Sequence, residues 1–176
     1  GENLLDTYTT ANGGKFTTKE YPCGSDYTIR EITPSEGYLL DETIYPVGAE
    51  PGNFTLENNS IPMTATEDVI LGSIAITKHT DKPANPGNVE LDLLAAGLIE
   101  QPEEGARFQI YLASAGSYEN AKETERDLLT TDSYGFARSK DLPYGLYVVH
   151  QTKGAQGQKF VPDFSVFISE HGKTYY

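Results

Sequence analysis

A chain of 176 residues with 38% apolar and 22% charged residues, 17 Gly and 10 Pro is long enough for one or two small cores and excludes a collagen, a coiled coil or a disordered tail. With 26 Asp and Glu against 13 Lys and Arg, the net charge of −13 repels phosphate backbones and anionic lipid, so neither nucleic acid nor a membrane is an expected partner. No apolar run reaches the ~20 residues of a spanning helix, and Gly1-Glu-Asn-Leu-Leu-Asp6 has neither a basic flank nor an apolar signal core.

Along the chain the first feature is a repeat. Thr9-Thr-Ala-Asn-Gly-Gly-Lys-Phe16 is similar to Thr130-Thr-Asp-Ser-Tyr-Gly-Phe136 with one residue of slack. The segment Glu20 to Glu31 then lies over Lys140 to Gln151, with Glu31 and Gln151 offset by 151 − 31 = 120. Each copy reads as a strand, a Gly turn, a second strand, a Pro-x-Gly turn and a third strand, which predicts an all-β fold of two tandem sandwich modules, 1–71 and 72–176. The second copy carries two opening strands that the first lacks. Gly72-Ser-Ile-Ala-Ile-Thr-Lys-His79 alternates apolar and polar residues, and Ala106-Arg-Phe-Gln-Ile-Tyr-Leu112 sets Phe108, Ile110 and Leu112 on one face. Between them, Asp81–Gln101 is an insert readable as either a helical turn or a packed loop. Ser117–Arg126, rich in Ala, Glu, Lys and Arg with Ser117 as an N-cap, predicts a short surface helix inserted in the second module. The first copy begins at its third strand and the second stops at Gly172-Lys-Thr-Tyr-Tyr176, a turn and the start of a strand. A fragment of a longer repetitive protein is therefore expected, with sheet edges exposed.

Strand parity selects the residues with chemistry. Ile74, Ile76 and Lys78 point one way, and two isoleucines say that way is inward; likewise Glu31 follows Tyr27 and Ile29, and Gln151 follows Tyr147 and Val149. Burial disfavours the charged form of an amine or a carboxyl, a neutral amine is a nucleophile, and a neutral carboxylic acid can pass its proton on. An Asn or Asp beside such a pair allows a single-turnover condensation to an isopeptide bond. The competing reading of Lys78 is a stem on the core rim with its ammonium in solvent. Cys23, the single cysteine, sits in a Pro-x-Gly turn, cannot form an internal disulfide and reads as a spectator. His79, His150 and His171 lack metal spacing, and Asp132, Asp141 and Asp163 read as turn caps, so neither metal nor cofactor is expected. The 12 Tyr read mainly as strand and turn packing, with a sugar- or protein-binding platform as the alternative.

Tyr27-Thr-Ile-Arg-Glu31-Ile-Thr-Pro34-Ser-Glu-Gly37-Tyr38 resembles the Tyr-x-x-x-Glu-x-x-x-Pro-x-Gly-Tyr signature of collagen-adhesin B-type, or SpaA-like prealbumin-fold, repeats of Gram-positive surface proteins and pilins. Ile74-Ala-Ile-Thr-Lys78 and Gly105-Ala-Arg-Phe108-Gln-Ile-Tyr111 resemble the opening strands of that repeat. The resemblance implies an Ig-like, prealbumin-like sandwich, extracellular and wall-anchored through parts outside this chain, in which an opening-strand Lys joins an Asn or Asp of the closing strand with help from an inward Glu. Glu31 matches the assisting acid of the first copy, whose Lys would lie upstream of Gly1, and Asp68 is its acceptor. Lys78 matches the nucleophile of the second copy, whose acceptor would follow Tyr176. Gln151 stands where that copy's acid should be, and Glu103 and Glu104 are distant reserves. The implied function is a mechanical stalk or display module beside neighbouring repeats, not a turnover enzyme. The alternatives are an adhesin binding a host protein or glycan through Asp81–Gln101 and Ser114–Arg126, and a carbohydrate-active enzyme, for which Glu31 lacks a facing carboxylate.

Overall fold

The computed structural model describes residues 3–80 and 101–176. Except for Gln101, the insert expected at Asp81–Gln101 lies outside them. The chain divides into a smaller unit, residues 1–31 with 42–65, and a larger unit, residues 32–41 with 66–176.

In the smaller unit, strands β1 (Thr28–Ile29) and β2 (Tyr45–Pro46) pair antiparallel, Ile29 opposite Tyr45. The Asn12-Gly13-Gly14 turn is closed by paired hydrogen bonds between Ala11 and Lys15, both 2.9 Å. Around it Tyr8 stacks on Phe16 with centroids 5.3 Å apart, and the Tyr8 and Tyr21 hydroxyls lie 2.7 Å from each other. Tyr21 donates to Asp6, and the Lys19 ammonium sits 2.8 Å from the same carboxylate. Lys19 first and Tyr21 second hold the Asp6 carboxyl below its usual range.

The larger unit is a sandwich of two four-stranded sheets. One has the order β11 (Phe164–Ile168), β10 (Gly145–Lys153), β6 (Arg107–Leu112), β7 (Arg126–Thr130), antiparallel throughout. The other has the order β12 (Thr174–Tyr175), β3 (Leu71–Thr77), β8 (Phe136–Arg138), with β9 (Leu142–Pro143) also on β3. β12 runs parallel to β3 and β8 antiparallel to it. A two-stranded neck, β4 (His79–Thr80) with β5 (Gln101–Pro102), continues from β3.

Alternation sends one face of each strand into a shared core: Ile74 and Ile76 from β3, Phe108 and Ile110 from β6, Tyr147 and Val149 from β10, and Ile168 from β11 are all buried. Both opening strands expected from the sequence are therefore present, with their apolar faces as read. The sequence reading of Ser117–Arg126 as a helix is corrected. That stretch holds turns and a 3-10 turn at Glu123–Glu125, with another at Ala113–Ala115. Ser117 does cap, its hydroxyl accepting the Asn120 N–H and its carbonyl the Ala121 N–H. Propagation stops because the Arg126 guanidinium takes the Tyr118 and Glu119 carbonyls, at 2.9 and 3.2 Å, which a helix would need for Lys122 and Glu123. Lys122 is extended, and ten residues are too few for helix propensity to compete with those bonds.

Tyr147 links core to chemistry. Its ring is fully buried and its hydroxyl donates to the Pro143 carbonyl at 2.8 Å. Burial, and secondarily the Glu125 charge, push this phenol above its ordinary range. The fold thus favours the neutral phenol, a stabilisation complete below the unfolded value of about 10 and lost as pH rises past it toward the folded value. Tyr147→Phe should cost about 1 kcal/mol near neutrality through the orphaned carbonyl. Above about pH 10 the wild type should lose up to ~1.4 kcal/mol per pH unit that the variant does not lose. Urea unfolding of both chains across that range checks this, and a gap independent of pH would refute it.

Candidate functional site

Lys78 lies between the end of β3 and the start of β4. Its N–H donates to the Gly135 carbonyl (2.8 Å), and its carbonyl accepts the Glu103 N–H (2.9 Å). The β4–β5 register, His79 opposite Pro102, makes Lys78 and Glu103 the next cross-strand pair, with side chains on one face. The Lys78 Nζ is 2.9 Å from Glu103 Oε2, and the side chains are only 14% and 5% exposed. Nζ also donates to the His79 carbonyl at 2.6 Å, while Glu103 Oε1 accepts the Ala155 N–H at 2.5 Å. Behind the pair, Thr131 Oγ1 donates to the Glu103 carbonyl (2.5 Å) and accepts the Ala106 N–H (3.0 Å). The lysine is therefore inward, as parity requires, and held against a carboxylate in a water-poor site.

Gln151 is also inward, at 2% exposure, on the core face with Tyr147 and Val149. Both ends of its amide are engaged: Nε2 donates to the Lys153 carbonyl (3.0 Å) and Oε1 accepts the Val161 N–H (2.9 Å). It brackets the chain leaving β10 and carries no exchangeable acid proton. Glu31 is half-buried in the smaller unit, two residues after β1. Asp68, in the larger unit, is exposed, and its backbone carbonyl accepts the Leu39 N–H at 2.8 Å. Glu104 is exposed.

Sequence parity did not find the partnership of Glu103 with Lys78. Counting back from Phe108 and Ala106 along the strand selects Glu104 as the inward acid. Gly105, at φ +77°, breaks the alternation and exchanges the two. A glycine directly after two acids was the available signal.

The remaining residues are placed as follows. Cys23 is exposed. His150 Nδ1 pairs with Asp163 at 2.7 Å, and His171 Nδ1 accepts the Leu71 N–H at 3.3 Å. Asp132 does cap a turn, its Oδ1 accepting the N–H groups of Tyr134 and Phe136. Among the described residues, no group of three or more His, Cys, Asp and Glu is arranged to hold a metal, and no helix is long and apolar enough to cross a membrane.

Two sheets closed over one core, with a half-buried lysine paired to a buried carboxylate at the end of the first strand of the larger unit, define an all-β sandwich of the prealbumin-like type. The family model described as SpaA, prealbumin-like fold domain, matches residues 1–69 and 100–176, and the chain belongs to that family. Among solved structures it is similar to the Bacillus anthracis TIE protein, with 23% identity, a TM-score of 0.55, and coverage of 85% of this chain and 23% of that one. It is also similar to GBS52, the minor pilin of Streptococcus agalactiae, at 21% identity and TM-score 0.38, covering 61% of this chain and 43% of that one. A third is the major pilin SpaD of Corynebacterium diphtheriae, at 21% identity and TM-score 0.37, covering 60% and 31%. The chain thus spans less than half the length of each of the three. No curated protein matches it.

Proposed function

We propose that the chain is a structural stalk or display part of a Gram-positive cell-surface protein, extracellular, built from the tandem copies 1–71 and 72–176 and working beside further repeats or pilin-like subunits. The observation that carries this reading is the parallel pairing of β12 with β3. Thr174 lies opposite Ser73 and Tyr175 opposite Ile74, with the Ser73 N–H on the Lys173 carbonyl (2.9 Å) and the Gly172 N–H on the Leu71 carbonyl (2.7 Å). Tension entering at Leu71 and leaving at Tyr175 pulls parallel strands in opposite directions, so their hydrogen bonds bear it together in shear. Family membership and the repeated turn support the same reading: Ala11 bonds Lys15 and Asp132 bonds Phe136 across equivalent loops.

The finer part of the proposal is covalent. An isopeptide bond from Lys78 to an Asn or Asp on a neighbouring strand is a clamp that one cysteine cannot supply. In the first copy, Glu31 is the proposed assisting acid and Asp68 the proposed acceptor.

Single-molecule pulling tests the stalk. Attached through residues 71 and 175, the larger unit should yield at a clearly higher force than when attached across the antiparallel β10–β11 pair, which opens bond by bond. Equal forces would sink the stalk reading. Specific binding of a host protein or glycan, lost on deleting Asp81–Gln101 or Ser114–Arg126, would replace it with the adhesin reading.

A further inference from the structure

We propose that Asn12 is a self-modification site, where the Asn12-Gly13 peptide closes to a succinimide and opens to aspartate and isoaspartate. It is the one Asn of the sequence that Gly follows. Among the described residues it is also the one non-glycine with positive φ, +48°, at the tip of the Ala11–Lys15 turn. Two features leave its successor able to attack. The bonds that close the turn use the N–H groups of Ala11 and Lys15, not that of Gly13. A Cβ at Gly13 or Gly14 would meet nothing within 4 Å, so the tip has room to swing the Gly13 nitrogen toward the Asn12 side-chain carbonyl. Two other asparagines are held. The Asn53 amide donates to the Gly48 carbonyl at 2.6 Å and to Glu50 at 3.0 Å, and its successor is the bulky Phe54. After Asn120, the Ala121 N–H is committed to the Ser117 carbonyl at 3.2 Å. The matched turn of the second copy, Asp132–Phe136, contains no Asn.

Water is the only co-reactant. The Gly13 N–H gives its proton to hydroxide, and the nitrogen forms a bond to Asn12 Cγ, an attack that the shared chain makes intramolecular. The Cγ–Nδ2 bond breaks, Nδ2 takes a proton from water and leaves as ammonia, and hydroxide is regenerated. Water then adds to one of the two ring carbonyls. Opening the N–Cγ bond gives aspartate, and opening the bond from that nitrogen to the Asn12 main-chain carbon gives isoaspartate. Either product adds a negative charge to a chain that already carries −13. In isoaspartate the backbone runs through Cβ and Cγ, so one more atom lies between Ala11 and Lys15. Their two 2.9 Å bonds then lose their match, and the stack of Tyr8 on Phe16 beside them loosens.

The test ages the whole chain at neutral and at mildly alkaline pH and follows it by peptide mapping, with electron-transfer fragmentation to tell aspartate from isoaspartate. Asn12 should convert first, about tenfold or more faster than Asn53 or Asn120, and faster at the higher pH because hydroxide takes the Gly13 proton. Two glycine variants separate access of the attacking nitrogen from the shape of the turn. Gly13 and Gly14 are both left-handed, at φ +86° and +78°, and both face open space. Gly13→Ala places a methyl beside the attacking nitrogen and should slow conversion about tenfold, whereas Gly14→Ala should leave it within a few-fold of wild type. Asn12→Gln, which keeps the glycines and would need a six-membered ring, should stop conversion at this position over the same period. In the aged chain the Ala11 and Lys15 amides should exchange faster with solvent than in the fresh one. An Asn12 that stays intact while Asn53 or Asn120 converts, or a chain that does not convert at all, would overturn the proposal. Equal slowing by both glycine variants would overturn the role given to the Gly13 nitrogen.

Discussion

Glu103→Ala is expected to destabilise the larger unit by about 3–5 kcal/mol, because it leaves the Lys78 ammonium buried without its counter-charge. The magnitude follows from geometry. The Lys78 side chain is 14% exposed with its Nζ 2.9 Å from the carboxylate, and among the described residues the His79 carbonyl is the other acceptor Nζ reaches. Removing the carboxylate also orphans the Ala155 N–H, at a cost of roughly 1–3 kcal/mol if water cannot enter. An exposed ion pair would behave differently, at about 0–1 kcal/mol, as expected for Lys122 with Glu125 on the surface. The pair itself need not be net stabilising: Lys78→Met combined with Glu103→Leu should recover most of the loss, since desolvating two charges offsets much of their attraction. Urea denaturation followed by tyrosine fluorescence, convenient in a chain with 12 Tyr and no Trp, measures all three variants. A single variant within about 0.5 kcal/mol of wild type would mean the ammonium reaches solvent, as the core-rim reading holds.

Gly135→Ala should be nearly as damaging, at roughly 3 kcal/mol or more, from two separate causes. Gly135 closes the Asp132–Phe136 turn at φ +71°, a conformation that costs a side-chain-bearing residue about 1 kcal/mol or more. Its Cβ would also stand 2.3 Å from the Lys78 carbonyl oxygen and 3.2 Å from the Glu103 nitrogen. Those are the two atoms whose hydrogen bond sets Lys78 opposite Glu103, and both belong to backbone, so neither can rotate aside. The variant should therefore lose the Glu103 amide's slow hydrogen exchange as well as global stability. Retained protection of that amide at wild-type stability would show that the neck is not held as described.

Much of the sandwich is legible in the chain because strand alternation is local. Ile74 and Ile76, Phe108 and Ile110, and Tyr147 and Val149 declare their inward faces within a few residues, and Lys78 and Gln151 inherit theirs by parity. The repeat is legible for the same reason, since a glycine turn and a Pro-x-Gly turn are short and carry their own backbone requirements. Ser117–Arg126 was not legible, because what ended its helix was Arg126, a side chain at the edge of the segment that took carbonyls from within it. Nor was the carboxylate that pairs with Lys78. The choice between Glu103 and Glu104 turns on one left-handed residue at Gly105, and the meeting with Lys78 turns on cross-strand register between segments 25 positions apart (103 − 78 = 25).

Residue order alone thus determined that the chain makes strands, which faces they bury, and that an amine is carried inward on the first of the second copy. Only tertiary structure decided which carboxylate meets that amine. Alternation is a property of a strand by itself, whereas a contact between two side chains depends on how separate strands are set against each other.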